Sequence, residues 1–189
     1  MAKRTIKSDL FGTKVQINSK TKGDNNERAV AKWFKEWTGA DMNRTPRSGG
    51  LRWLDASRIA GDIVAPQDFY FPFCVEAKAY KTVEFKETLR VNTIVGKFWA
   101  QAHKDACRID KSPLLIIREN GRKAGEFIIF VGGFPKEILT SFGISCLYSG
   151  KVLDSYGINE LVYGFNSGDV IKVPYQDFIY KYRKQSGIE

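Results

Sequence analysis

Cysteine is scarce in this chain of 189 residues: Cys74, Cys107 and Cys146 are odd in number, far apart and form no CxxC pair. That excludes a disulfide-stapled scaffold and a cysteine-rich zinc site, and it reads as reduced thiols in an intracellular protein. Histidine is scarcer still. His103 is the only one, and with Cys107 one helical turn later it offers two metal ligands and no more. Long apolar runs are missing, the segment from Pro113 to Ile117 being among the longest, so no membrane-spanning helix is expected. The opening MAKRTIKSDLFG is basic with no apolar stretch behind it, so no secretory signal is read there. Repeats, low-complexity tracts and linkers are absent too. The length suits one domain with a core of its own.

Acid is also in deficit. Twenty-one Asp and Glu stand against 30 Lys and Arg, a net charge of +9. An excess of that size favours polyanionic partners, nucleic acid first among them. Residues 1–22 carry much of it (Lys3, Arg4, Lys7, Lys14, Lys20, Lys22) with little apolar periodicity, and are expected to form a solvated, mobile arm.

A helix is expected to follow. Asp24, Asn25 and Asn26 offer N-caps, and Glu27 lies at capping-box spacing from Asp24. Ala29, Val30, Trp33, Phe34 and Trp37 form its apolar stripe, and Gly39 ends it. Glu27 heads that stripe, either as a helix-start device or as a site residue. Residues 41–60 read as a loop rich in arginine, with a short strand at 42–45. Arg44, Arg47, Arg52 and Arg58 flank Ser48, Gly49 and Gly50, so guanidinium groups and backbone amides can approach phosphate closely. Trp53 in that loop reads as packing before base stacking.

The stretch from Gly61 to Lys78, GDIVAPQDFYFPFCVEAK, reads as two short strands and a turn. Alternation puts Glu76 and Lys78 on one face and Ala77 on the other, and a hairpin pairing brings Asp62 beside Glu76. Two carboxylates and an ammonium group would then meet where a divalent metal and a phosphate can be held. The turn holds Phe69, Tyr70 and Phe71, aromatic enough to be folded back or used at an interface; the interface, a dimer contact, is the reading preferred.

Beyond it, residues 96–109 are expected to form a helix. Val91, Val95, Phe98, Ala102 and Ala106 make the apolar stripe, and Lys97, Gln101, Lys104 and Arg108 a second face suited to a phosphate backbone. Residues 113–118 and 127–131 are continuous apolar runs, the mark of strands buried on both faces in an α/β sheet. A short helix is expected over 135–142, residues 143–168 are punctuated by Gly and Ser, and a strand over 169–173 and a final helix from Pro174 through Phe178, Ile179 and Tyr182 are expected after them.

The order of Glu27, the Arg47-Ser48-Gly49-Gly50 loop, Asp62 and Glu76-Ala77-Lys78 resembles the PD-(D/E)xK nucleases, and within them archaeal-type Holliday-junction resolvases and their viral relatives. The likeness covers residues 22–118. It implies a restriction-endonuclease-like α/β fold, a mixed central sheet flanked by helices, in a single nuclease domain: arm 1–22, core 23–133, and an extension 134–189 with no role assigned. It implies Mg²⁺, with Mn²⁺ as a substitute, on Asp62, Glu76, the Ala77 carbonyl and Glu27. Lys78 would orient water or offset charge on the phosphate. Arg44, Arg47, Ser48, Arg52, Arg58, Lys97, Gln101, Lys104 and Arg108 would hold DNA. A homodimer cutting four-way junctions follows from the likeness. A nuclease for linear duplex or single strands, and a non-catalytic nucleic-acid-binding module, stay open beside it.

Overall fold

The apolar runs of the chain's middle become neighbouring strands: β6 (Ser112–Glu119) and β7 (Ile128–Gly132) pair antiparallel, Leu114 opposite Val131 and Ile117 opposite Ile128. In this computed structural model, which describes residues 5–8, 14–17, 19–45, 59–85, 89–90, 93–153 and 159–187, they lie near the centre of a seven-stranded sheet. Its order is β3 (Asn43–Arg44), β4 (Ile63–Val64), β5 (Phe73–Tyr80), β6, β7, β9 (Asn159–Asn166), β8 (Cys146–Leu153). Among the described strands only β5 and β6 pair parallel, and α2 (Ile94–Arg108) lies in the crossover that such a pair needs. The sheet is therefore mixed and helix-flanked, as expected.

Both faces are buried, which explains why β6 and β7 lack polar alternation. On one face Val75, Ala77, Leu114, Ile116 and Ile129 pack under α1 (Ser19–Thr38) and α5 (Tyr175–Ser186). On the other, Leu115, Ile117, Ile128 and Phe130 pack under Val95, Trp99 and Ala102 of α2. Trp99, at 1 % exposure, centres that stripe, whereas Phe98 stands to its side and is only partly buried.

Helix α1 begins at Ser19, so Asp24, Asn25 and Asn26 lie inside it and cap nothing. Local tertiary bonds compensate for Gly23, which costs about 1 kcal/mol in a helix interior. Lys22 donates to the Asn120 side chain at 2.7 Å, and Arg44 takes the carboxylate of Asp24. The helix does end at Gly39, in the left-handed region at φ +72°. Ahead of it the expected mobile arm includes two strands paired antiparallel, β1 (Thr5–Ser8) and β2 (Lys14–Ile17), in a sheet of their own.

In the last third one further expectation fails, and a stretch read only as punctuated by Gly and Ser takes a definite form. Residues 143–168 hold β8 and β9, which extend the sheet from β7. Gly164 broke their apolar pattern; a Cβ there would stand 2.8 Å from the ring of Phe130, so packing demands the glycine. Residues 169–173 are no strand. α4 (Ser167–Val170) is a single turn, and Val170 and Val173, both buried, sit three apart in a helical bend. The short helix α3 (Lys136–Ser141) and α5 after Pro174 form as expected.

The aromatic turn folds back onto this C-terminal part. Phe69 stacks on Tyr175 at 5.2 Å, and Phe71 is buried with its ring edge-on to Phe34. The Tyr175 hydroxyl donates to the Tyr70 carbonyl at 2.7 Å. Two of the three aromatics proposed for a dimer contact thus belong to the core, because the turn has helix α5 to cover it.

Candidate active site

The hairpin forms, with Ile63 opposite Val75, a register that sets Asp62 across from Glu76. Gly61 makes the close approach possible. Its φ of +79° suits glycine, and a Cβ would lie 2.5 Å from the Val75 carbonyl oxygen. With that space clear, the Asp62 amide donates to Val75 at 2.7 Å, and Thr45 holds the other side through its amide to the Asp62 carbonyl, 2.9 Å, and its hydroxyl to the Gly61 carbonyl, 2.8 Å. The Asp62 carboxylate accepts the Ala77 amide at 2.8 Å.

Glu76 is the most buried charged group described, at 2 % exposure, and the Lys78 ammonium lies directly on its carboxylate. Ala77 between them faces α1, so the alternation read from the sequence holds. Lys78 also lies 5.6 Å from the Phe98 ring centre, a cation–π contact that limits where the ammonium can go. Burial, the negative charge of Asp62 and, opposing them, Lys78 leave Glu76 titrating at about 7. Asp62 is also raised above the ordinary carboxylate value, first by burial; the Ala77 amide and Lys78 pull it back, and Glu27 and Asp105 push it up.

Asp105 was not singled out from the sequence. It stands on α2 beside the cationic row, and its negative charge reaches both Asp62 and Glu76. Its one available signal is position: one residue past Lys104 on a helix turns the side chain from solvent towards the sheet.

Glu27 is brought near this pair, but as the partner of Arg44. The guanidinium donates to Glu27 through Nε at 2.9 Å and Nη2 at 2.5 Å, and through Nη2 to Asp24 at 2.9 Å. Arg44, expected on DNA backbone, is thus engaged within the protein. Lys97, Gln101, Lys104 and Arg108 all lie on the exposed side of α2. Arg108 differs from the others in donating to the Ile59 carbonyl at 3.0 Å. Arg47, Ser48, Arg52, Trp53 and Arg58 lie outside the described residues.

With Lys78 on Glu76 and Arg44 on Glu27, no three carboxylate, imidazole or thiol groups among the described residues form a ready-made metal-ligand cluster. Asp62 and Glu76 themselves fit a hard divalent cation. They are oxygen donors side by side whose charged forms are disfavoured first of all by burial, a cost that a bound divalent cation would offset. His103 is half-buried, its Nε2 3.6 Å from Glu160, with the Cys107 sulfur 3.5 Å from Nδ1. Only Cys74 of the three cysteines is buried. Among the described residues no helix is long and apolar enough to cross a membrane.

Residues 18–130 match the family model described as "Phage putative PDDEXK endonuclease", a span that takes in α1, the hairpin, α2 and β6. No curated protein and no solved structure matches the chain.

Proposed function

The chain belongs to this phage PD-(D/E)xK endonuclease family, a nuclease lineage whose substrate is DNA, and from that premise we infer that it is a Mg²⁺-dependent endodeoxyribonuclease with its site at Asp62, Glu76 and Lys78. The observation that carries the reading is Asp62 set across from a buried Glu76 that bears the Lys78 ammonium. Asp62, Glu76 and the Ala77 carbonyl would hold the cation, with Glu27 completing the set. When bound it supplies Lewis-acid polarisation of a phosphate oxygen and a nucleophilic water at neutral pH.

The protein's own groups do the rest. The Ala77 amide fixes the Asp62 carboxylate in one orientation, which lowers the reorganisation needed when substrate arrives. Lys78, confined between Glu76 and Phe98, donates hydrogen bonds where negative charge develops on the phosphate. Lys97, Gln101 and Lys104 recur along α2 at three- and four-residue spacing and contact successive backbone phosphates. Branched DNA is the substrate that the likeness to Holliday-junction resolvases implies, with a homodimer placing one site on each of two strands.

The test is cleavage by the purified chain of an immobile four-way junction, a flap, a linear duplex and a single strand, with Mg²⁺, Mn²⁺ or EDTA. Paired symmetric nicks near the branch point support junction resolution. Equal cutting of the linear arms assigns a linear-duplex nuclease. Binding without cutting on every substrate and with either metal overturns the enzyme reading.

A further inference from the structure

Arg44 occupies an unusual place beside this site. Its side chain is 23 % exposed, and its fork closes on two carboxylates of α1, Glu27 at 2.5 and 2.9 Å and Asp24 at 2.9 Å, their own side chains 16 % and 21 % exposed. In β3, Arg44 stands opposite Ile63, which packs on the α1 face, and Glu27 is held there. The next residue, Thr45, donates its amide to the Asp62 carbonyl, so the holder of Glu27 and the first site carboxylate are joined through one backbone step. Glu27 is still near enough to Asp62 for its charge to be felt there.

A planar guanidinium matches a phosphate diester as well as it matches a carboxylate, and bidentate pairing with either uses the same two N–H groups. With Nη2 already donating to both Glu27 and Asp24, Arg44 cannot pair a phosphate bidentately while it holds them. We propose that Arg44 is a positioning residue that couples DNA binding to metal binding: in the free protein it holds Glu27 away from the cation, and a DNA phosphate takes Arg44 and releases Glu27 to the Asp62–Glu76 pair. The inference rests on the metal-dependent reading of the site and deepens it by stating when the third carboxylate becomes available. Linkage makes the coupling reciprocal: if DNA tightens the metal, the metal tightens DNA. The functional advantage is chemical. Without DNA the site lacks a ligand and activates no water; with DNA the ligand set and the phosphate arrive together.

The experiment measures Mn²⁺ affinity by calorimetry or electron paramagnetic resonance, before any cutting, for the full chain with and without an immobile four-way junction whose phosphodiesters are replaced by uncleavable linkages at the branch. In the wild type, DNA is expected to tighten Mn²⁺ by two contributions, the phosphate as a ligand and Glu27 released. Arg44→Gln, which removes this hold on Glu27, is expected to bind Mn²⁺ about tenfold more tightly than the wild type in the absence of DNA, within the usual range of such couplings. Its further gain on adding DNA shrinks by the same factor. Glu27→Gln shows neither the tight DNA-free binding nor the full gain with DNA, and ends at the same residual gain as Arg44→Gln.

Arg44→Lys keeps the charge without the fork. A value between wild type and Arg44→Gln supports release, whereas Arg44→Lys identical to wild type assigns the effect to charge alone and overturns the proposal. So does an unchanged DNA increment in Arg44→Gln. Melting curves in EDTA establish that each variant is folded; should Arg44→Gln fail to fold, DNA-free Mn²⁺ affinity of Arg44→Lys above that of the wild type supports release, and an unchanged affinity overturns the proposal. Asp62→Asn separates the two readings. If it binds Mn²⁺ as the wild type does, the metal site itself is misplaced; if it loses Mn²⁺ while the Arg44 variants leave the increment intact, only the coupling fails.

Discussion

The carboxylate of Asp62 accepts a hydrogen bond from the backbone amide of Ala77, the residue between Glu76 and Lys78, at 2.8 Å. One strand thus presents its acid, its base and the amide that orients the facing acid within three consecutive positions. Removing the carboxylate charge while keeping the shape, Asp62→Asn, is expected to lower cleavage at least 100-fold, as losing a metal-holding charge does. Folding should change little, because an amide oxygen still accepts the Ala77 bond. Single-turnover cleavage and thermal unfolding of the same preparation check both halves.

Glu76 gives a stability prediction with a definite sign. Its folded-state value is about 7 against an ordinary 4.5, so between those pH values the folded chain retains a proton that the unfolded chain has lost. Stability of the metal-free protein therefore falls as pH rises through this window, by about 3 kcal/mol at most. Glu76→Gln, neutral throughout, should flatten the slope and be the more stable protein at pH 8 in EDTA while inactive with Mg²⁺. Urea unfolding at pH 5, 6.5 and 8 reads the difference. A wild-type curve parallel to the variant's contradicts it.

The same proton competes with the cation. Mn²⁺ affinity and cleavage should both rise with pH through about 7 and level off above it. With saturating metal the cleavage limb should move to lower pH, since a bound cation favours the ionised carboxylates. Titrations at two metal concentrations check the displacement.

Lys78→Ala is expected to lower cleavage by about 10²–10³-fold, the usual loss for one group stabilising charge in the transition state. It also removes the cation that offsets Glu76, so the pH midpoint should rise further in metal-free protein. A drop in rate without that displacement would place Lys78 outside Glu76's reach.

Phe71→Ala should cost about 3–5 kcal/mol of stability, since it opens a cavity between Phe34 and Phe73. Tyr70→Ala, at a residue 43 % exposed, should cost far less. Sedimentation of the Tyr70 variant tests whether any part of this turn contributes to self-association; an unchanged oligomeric state is expected.

Much of this site was legible because its information is local. Asp62, Glu76 and Lys78 are specified by strand period and a short turn, and the apolar runs of β6 and β7 announce a sheet buried on both sides. What could not be read is what non-local contacts decide. Arg44 and Glu27 are 17 residues apart, and nothing in either neighbourhood says that they are partners. The start of α1 was misplaced because Asp24 looks like a cap when its carboxylate in fact belongs to Arg44. Strands β8 and β9 were hidden by glycines, Gly164 set against Phe130 and Gly150 against Tyr148, whose packing the sequence does not show. The aromatic turn looked unpartnered because α5, a hundred residues on, supplies its cover.

The pairing of β9 with β7 has a further consequence. The family likeness stops at residue 130, inside β7, yet the hydrogen-bonding edge of that strand is closed by Tyr163 and Gly164, and the hollow beside α1 by Phe178 and Tyr182. A fragment cut at the family boundary would carry the chemistry on an open, adhesive rim prone to recruiting a second fragment. The last third of this chain moves the free edge of a nuclease sheet from β7, buried throughout, out to β8.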